Sequence, residues 1–191
     1  MSNQVCIETP RLLLRLPERG DFEPWAEMMT DPLTAQFIGG VQPAAMTWRS
    51  FLTMVGAWHI QGFGMFSMIE KATGQWIGRL GPWQPEGWPG TEVGWALIRS
   101  RWGHGLAREG AIAAIHWAFD ELGWAEVIHT VAPDNLASQA LARRLGARNR
   151  GPGQLPPPLE GARVDIWAQS SADFRAANPR NTIASSTEAV R

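Results

Sequence analysis

Gly103, Gly105 and Ala107 occupy every second position of a short segment that runs directly into a stretch of helical periodicity. Glycine in a helix interior is unfavourable by about 1 kcal/mol relative to alanine, so glycines at a helix entrance indicate backbone that must lie close to something else. The free N–H groups and peptide dipoles of a helix N-terminus attract anions. We therefore predict a phosphate or pyrophosphate site here. Three basic side chains adjoin it and are expected at its rim: Arg101, His104 and Arg108.

Other phosphate-binding loops fit this chain less well. It has no GxxxxGK[ST] segment, which excludes a P-loop nucleotide triphosphatase, and its glycines are not spaced as GxGxxG. The structural alternative is a glycine-rich turn that only packs the helix against a sheet.

A second group of polar residues begins another helical segment, VAPDNLASQALARRLGA (131–147). Asn135 is well suited to cap that helix, and Ser138 follows three residues later. Together with TEVGWALIRSRWGHGLAREG (91–110), this segment closely resembles the GNAT acetyltransferases, which use acetyl-CoA. Within that superfamily it looks like the RimJ/RimL-type group, in which WGxGxAxEA loops and NxxSxxxxxKxG helices are typical. The segments ETPRLLLR and KATGQWIGRLG also fit, so the resemblance covers about residues 8–168.

The resemblance implies acetyl-CoA as co-substrate and no metal. It places Trp95, Ala96 and Leu97 along the pantetheine arm, where their backbone would offer hydrogen bonds. The strands holding Leu97 and Thr130 would splay apart to admit the thioester, and a backbone N–H near Leu97 would donate to its carbonyl oxygen. Asn135 caps its helix in either case and would also contact CoA through its amide. The pyrophosphate would lie on Trp102, Gly103, His104, Gly105, Leu106, Ala107 and Arg108.

The catalytic assignments also follow from the resemblance. Many relatives protonate the CoA sulfur with a tyrosine, and this chain has none. Ser138 matches a serine near the sulfur and is assigned as general acid or hydrogen-bond donor; the alternative is a hydroxyl bonded to its own helix. Glu92 is the candidate general base, directly or through water, and the alternative is an ordinary charge on a strand surface. His129 is a lesser candidate base, while His59 and His116 are expected to pack in helices.

Hydrophobic periodicity predicts the elements that must position these residues. Strands are predicted at 11–16, 64–70, 75–80, 91–98, 126–131 and 163–168, and helices at 21–30, 44–59, 106–122 and 136–145. This order indicates a mixed α/β protein of the α+β type. The resemblance implies a GNAT-like, mostly antiparallel central sheet with splayed strands and helices on both faces. We expect a single domain over residues 1–169 and a polar, loosely ordered tail over 170–191.

Composition and charge limit the classes of partner and the cellular compartment that we expect. The chain has 191 residues with a net charge of −1, so nothing favours nucleic acid or a membrane surface as a partner. Cys6 is the single cysteine and the N-terminus has no signal-peptide pattern, which predicts a cytoplasmic protein. Cys6 as a nucleophile is the sharper alternative, although no base partner is evident.

The expected activity is transfer of an acetyl group to a primary amine, either a peptide or protein N-terminus or a small amine. The alternative is an idle GNAT-like module that binds acyl-CoA as a sensor or scaffold. The acceptor would be selected by the first two helices and the loops 83–90 and 151–161, and association into a homodimer stays open. Five tryptophans are candidates for the acceptor pocket wall or for the core: Trp25, Trp48, Trp58, Trp83 and Trp88.

Overall fold

The computed structural model describes residues 5–179, which form one sheet with helices on both of its faces. The strands are β1 (Cys6–Glu8), β2 (Leu12–Arg15), β3 (Phe66–Glu70), β4 (Gln75–Trp83), β5 (Glu92–Leu97), β6 (Glu126–Val131), β7 (Arg148–Gly153) and β8 (Val164–Ser170). The α-helices within this range are α1 (Phe22–Thr30), α2 (Pro32–Ala35), α3 (Ala44–Gln61), α4 (Leu106–Glu121), α5 (Leu136–Leu145) and α6 (Ser171–Ala177).

The spatial order of the strands is β1-β2-β3-β4-β5-β6-β8-β7. Neighbouring strands in the described residues are antiparallel except β5 and β6, which run parallel. The expected mixed, mostly antiparallel sheet is thus confirmed. α4 packs on one face with Ile115, and α1 and α3 cover the other with Trp25 and Phe51.

The two parallel strands separate soon after they meet. Their single ladder pair is Glu92 with Ile128, and the Ile128 N–H donates to the Thr91 carbonyl at 2.9 Å. Beyond that point side chains replace the backbone ladder. His129 Nδ1 donates to the Val93 carbonyl at 2.7 Å, and Glu92 Oε1 accepts from the Thr130 N–H at 3.2 Å. The expected splay is therefore present, and it leaves a gap between β5 and β6.

An extra residue in β4 determines which side chains face α1 and α3. Met68 pairs with Gly78 but Ile69 pairs with Trp76, so Ile77 has no partner on β3. Such a bulge interrupts the alternation of side chains between the two faces. As a result Trp76 lies in the cluster under α1 and α3, and Arg79 lies over the Trp25 ring of the same cluster.

The expectation of a loosely ordered tail from residue 170 onwards is wrong for its first residues. Ser171–Ala177 forms α6, whose Phe174 is fully buried against Phe119 and the His116 ring. The amide of Asn178 then donates to the carbonyls of Leu145 (3.0 Å) and Phe174 (3.1 Å). The folded unit thus continues past residue 169, because one aromatic side chain fills the space between α4 and α5. The expectation for 180–191 lies outside the described residues.

Two smaller expectations also change. Asp21 precedes α1 but makes no side-chain cap there; its buried carboxylate instead accepts two 2.8 Å hydrogen bonds from Arg15. His59 is exposed on α3 rather than packed, whereas His116 packs on Phe174 as expected. Within residues 5–179, no helix is long and apolar enough to cross a membrane.

Candidate active site

The glycine-rich segment forms a turn whose shape depends on glycine at two positions. Gly103 and Gly105 have φ angles of +78° and +76°, in the left-handed region that other residues enter only at a cost. Gly105 is the N-cap of α4, and no side chain caps the helix there. A Cβ at Gly103 would project into open space. The first-turn N–H groups of α4 are therefore accessible to an anion.

Arg11, which directly precedes β2, holds this turn in place. Arg11 donates to the His104 carbonyl at 2.9 Å and, through Nε, to Glu109 Oε2 at 2.6 Å. Two of the three basic side chains expected at the rim of the phosphate site bind other residues. Arg101 pairs with Glu70 at 2.9 Å and Arg108 donates to Asn178 at 2.9 Å.

The edge of β5 offers unpaired backbone groups to the gap. The Ile98 N–H bonds to the Ile77 carbonyl, and the Ala96 carbonyl oxygen lies against Gly78 of β4. Backbone groups alternate in direction along an antiparallel strand, so the N–H and C=O groups of Trp95 and Leu97 face the gap. Ala96 contributes a buried side chain under α1 and α3 instead of backbone groups.

The side chain of Trp102 adds a contact that the sequence reading did not include. Its indole N–H donates to the Leu97 carbonyl at 2.8 Å, although the residue is 46% exposed. The gap-facing groups left free are the Trp95 N–H and C=O and the Leu97 N–H. These suit an amide-containing chain laid along the strand.

Glu92 lies on the floor of a cleft of about 1050 Å³ that opens where β5 and β6 separate. One carboxylate oxygen accepts from the Trp88 indole at 2.5 Å, and the Thr130 hydroxyl donates to the carboxylate at 3.0 Å. Burial raises the pKa of Glu92 to about 7, against the opposing effect of these hydrogen bonds. A carboxylate that titrates near neutrality and faces a cleft is suited to accept a proton. The alternative of an ordinary surface charge is wrong, because Glu92 is only 6% exposed.

His129 has a different role from the one suggested as a lesser base. It is 1% exposed, and its Nδ1 must carry the proton because its partner, the Val93 carbonyl, can only accept. Burial lowers the pKa of His129 to about 4, so the imidazole is neutral at pH 7. Its ring lies 4.8 Å from the Trp95 ring and lines the cleft.

Ser138 and Asn135 lie across the gap from β5, at the start of α5. Asn135 caps this helix by accepting from the Ser138 N–H at 3.1 Å, as its sequence position predicts. The Ser138 hydroxyl accepts from the Trp95 indole at 3.2 Å. Both residues line the cleft, so the hydroxyl proton of Ser138 is available to a ligand there.

Three of the five candidate tryptophans line the cleft: Trp25, Trp83 and Trp88. Trp48 instead packs on Phe22 and Phe51, and Trp58 donates to the Met65 carbonyl within the core. Cys6 lies on β1 at the sheet edge and does not line the cleft. Between residues 5 and 179, no cluster of three or more His, Cys, Asp or Glu side chains is placed to hold a metal ion.

Comparison with known proteins decides the family. Residues 11–148 match the family model described as the acetyltransferase (GNAT) domain. The chain belongs to the GNAT acetyltransferase family. Enzymes of this family use acetyl-CoA, and the turn before α4 together with the free edge of β5 fits the diphosphate and amide groups of that molecule.

Individual proteins that are similar to this chain are also named acetyltransferases, at modest sequence identity. An uncharacterised N-acetyltransferase of Bacillus licheniformis, p20, is 26% identical over 162 residues, covering 83% of this chain and 91% of that protein. The crystal structure of an acetyltransferase from Agrobacterium tumefaciens superposes with a TM-score of 0.76 at 29% identity, covering 86% of this chain and 94% of that one. A RimL ribosomal L7/L12 α-N-protein acetyltransferase in complex with coenzyme A has a TM-score of 0.70 at 18% identity, covering 87% and 98%. At that identity the likeness is one of fold.

The sequence assigns no role at this GNAT site to the side chains of Thr130 and Arg79, and it makes Trp88 only a candidate for the pocket wall or the core. Trp88 and Thr130 hold the Glu92 carboxylate, and Arg79 lies on the cleft floor. Thr130 could have been found, because it lies on the strand expected to face Glu92. Arg79 carried a weaker signal, a lone charge within the apolar run QWIGRLGPW.

Proposed function

We propose that this protein transfers the acetyl group of acetyl-CoA to a primary amine by direct attack on the thioester. The observation that carries the proposal is the placement of Glu92. Its buried carboxylate faces the cleft at the point where β5 and β6 part, and Ser138 lies at the same cleft. A proton acceptor and a proton donor at one gap suit a reaction that removes a proton from nitrogen and delivers one to sulfur.

The reaction forms a C–N bond and breaks the C–S bond. Acetyl-CoA supplies the activated acyl carbon and a thiolate leaving group. Glu92 accepts the proton lost by the amine, directly or through one water. The Leu97 or Trp95 N–H donates to the carbonyl oxygen as it gains charge, and a single donor of this kind is worth about 10²–10³ in rate. The Ser138 hydroxyl donates to the sulfur as it departs.

An α-amine is the acceptor that this base suits best. Its pKa of about 7.7–8.0 lies close to that of Glu92, whereas a lysine amine at about 10.4 needs a stronger base. The WGxGxAxE loop and the Asn135–Ser138 pair support membership of the RimJ/RimL-type group. The RimL relative, an α-N-protein acetyltransferase, makes a peptide or protein N-terminus a natural acceptor alongside small amines. The cytoplasmic location and the homodimer stay predictions.

Turnover of acetyl-CoA against a panel of amines tests the proposal. The panel contains peptides with free N-termini, amino acids, lysine derivatives blocked at the α-amine and amine antibiotics. We expect some α-amines to accelerate release of the CoA thiol, with mass spectrometry finding the acetyl group on the amine nitrogen. Tight binding of acetyl-CoA with no amine-dependent release would instead favour the sensor or scaffold.

A further inference from the structure

Arg79 lies on the floor of the cleft, on the same side of the sheet as Glu92. The bulge at Ile77 turns it towards α1, where its guanidinium lies 5.0 Å from the centre of the Trp25 ring. Both Arg79 and Trp25 line the cleft. The arginine is thus positioned among apolar cleft residues rather than at the solvent-exposed surface of the sheet.

The guanidinium lacks a carboxylate partner among residues 5–179. Its Nε is buried with no hydrogen-bond partner there, and its Nη1 contacts the Met65 sulfur, a weak acceptor, at 2.7 Å. Burial lowers the pKa of Arg79 to about 10, so it stays charged at neutral pH. Burying a cation without a matching anion is unfavourable, and arginine offers five donors in a planar fork.

Glu92 and Arg79 lie at opposite ends of the cleft floor. Arg79 is opposite Ala96 and Glu92 is opposite Trp83, with the pair Gly81 and Gly94 between them. Met65 spans this interval, because its sulfur contacts Arg79 and its methyl group lies where a Gly94 side chain would be. A molecule lying on Met65 would therefore have a carboxylate base at one end and a cation at the other.

Among residues 5–179, no carboxylate that lines the cleft forms an ion pair with Arg79, although Glu92 is close enough to interact with its charge. Asp134 is exposed and forms no ion pair with Arg79, and Arg163 is a second, exposed cation that lines the cleft. Glu92 is directed to Trp88 and Thr130 and makes no ion pair with Arg79. The guanidinium thus keeps N–H donors that no carboxylate among residues 5–179 accepts, which suits a carboxylate brought by a ligand.

We infer that Arg79 determines acceptor specificity by binding a carboxylate carried by the amine substrate. This inference rests on the proposed function and narrows its substrate class to amines that also bear a carboxylate. The amine would lie at Glu92 and the carboxylate at Arg79. The same carboxylate chemistry occurs in a free amino acid and in a peptide with an acidic residue near its N-terminus.

A purely structural role makes a different prediction. If Arg79 only balanced the charge of Glu92, its removal would raise the pKa of the base and slow all acceptors alike. If it binds the acceptor carboxylate, removal would impair carboxylate-bearing acceptors far more than the others, mainly through KM. The two roles are separated by comparing acceptors that differ only in the carboxylate.

The experiment measures kcat and KM for phenylalanine, phenylalaninamide and 2-phenylethylamine, and for C-terminally amidated peptides with Asp or Asn at the second position. The proteins are the wild type, Arg79→Met, Arg79→Lys and, as a matched control, Arg49→Met on the exposed face of α3. Thermal unfolding and acetyl-CoA binding check that each variant is folded. Calorimetry with N-acetylphenylalanine in the presence of CoA gives a readout independent of turnover.

We expect the wild type to prefer at least one carboxylate over its amide partner by tenfold or more in kcat/KM. Comparing the amino acids with the peptides shows whether the bound carboxylate belongs to a free amino acid or to an acidic residue near a peptide N-terminus. Arg79→Met should abolish the preference and the binding of N-acetylphenylalanine or an N-acetylated Asp peptide, Arg79→Lys should keep part of both, and Arg49→Met should match the wild type.

Three results would overturn the inference. Equal use of acids and amides by the wild type overturns it while leaving the acetyltransferase proposal intact. A uniform loss in Arg79→Met, with a shifted pH midpoint, assigns Arg79 to charge balance alone. Failure to acetylate any amine overturns the proposed function and this inference together.

Discussion

Glu92 combines two environments that pull its pKa in opposite directions. Burial favours the neutral carboxyl, whereas donors from Trp88 and Thr130 favour the carboxylate, and the result is a pKa of about 7. A base of this strength is half ionised at neutral pH and is close in pKa to an α-amine. Ionising Glu92 in the folded protein is therefore unfavourable for stability, whereas its raised pKa suits the proposed proton transfer.

Replacing this base should change the pH profile of the reaction. In the proposed mechanism Glu92 acts in its ionised form, so the wild-type rate should rise with pH through about 7. Glu92→Gln should lower kcat/KM by about 10²–10⁴ and remove the part of this rise near pH 7, leaving only the titration of the acceptor amine at about 7.7–8.0. Initial rates between pH 5.5 and 9 measure both effects. Glu86→Gln, an exposed acid in the neighbouring loop, is the matched control and should keep the wild-type profile.

The stability of the same variant gives an independent check. Because the pKa of Glu92 is raised above its usual 4.5, the folded state binds more protons, and the wild type loses stability as pH rises from about 4.5 to about 7. Glu92→Gln should lack this loss. Urea unfolding of both proteins at pH 5 and pH 8 measures this loss. If the difference in free energy of unfolding between the wild type and Glu92→Gln is the same at both pH values, Glu92 lies in a more solvated site.

At the scale of elements, α4 has a glycine of similar backbone conformation at each end. Gly105 precedes its first turn with a φ of +76°, and Gly123 follows its last turn with a φ of +65°. A Cβ at Gly123 meets no atom within 4 Å, and one at Gly105 meets only the end of the Arg11 side chain at 3.6 Å. Substitution therefore introduces similar strain at both ends, but only the first end faces the expected diphosphate.

Paired substitutions at the two glycines use this symmetry. Gly105→Asp and Gly123→Asp should each lower the free energy of unfolding by about 1 kcal/mol, because a side chain there disfavours the left-handed backbone. Only Gly105→Asp should also lose CoA affinity, by a hundredfold or more, since its carboxylate would repel the diphosphate. Calorimetric titration with CoA measures this. Equal CoA affinity in the two variants would mean that the turn only packs α4 against the sheet.

Elements with strong local signals could be predicted from the sequence, and those with weak signals could not. α4 and α5 have periodic apolar residues and end near glycines, and the structure places them at Leu106–Glu121 and Leu136–Leu145. β7 was missed because Arg148, Asn149 and Pro152 give no apolar alternation. As an edge strand it can include proline and needs only one buried neighbour. β1 and α2 have three and four residues, too few for any periodicity to appear.

The candidate site was predictable where backbone chemistry determines it. The glycine turn before α4 and the Asn135 cap follow from local sequence, and the β5 edge follows from the family resemblance. The partners of Glu92 depend on which strands lie side by side, and the exposure of Arg79 to the cleft depends on a bulge of one residue. A bulge reverses which face a side chain occupies, and nothing in the apolar run of β4 reveals it.

At the scale of the whole molecule, α6 joins parts of the fold that the sheet alone does not connect. Phe174 packs against Phe119 of α4, and Asn178 bonds both to the Leu145 carbonyl at the end of α5 and to Arg108 beside the phosphate turn. α4 and α5 flank the gap in the sheet, where few backbone hydrogen bonds hold β5 to β6. The contacts of α6 with the outer ends of α4 and α5 therefore add to the few backbone hydrogen bonds between β5 and β6.

Phe174→Ala should therefore destabilise the whole domain rather than fray its end. Removing a fully buried phenylalanine costs about 3–5 kcal/mol, which exceeds what an unpacked terminal helix would lose. Arg175→Ala on the same helix is the matched control, because its partly exposed ion pair with Asp120 is worth only about 0–1 kcal/mol. Urea unfolding followed by tryptophan fluorescence measures both variants as single transitions. If Phe174→Ala stays within 1 kcal/mol of Arg175→Ala, α6 is dispensable and the domain ends near residue 169. A large loss confined to Phe174→Ala would instead make α6 an integral part of the fold.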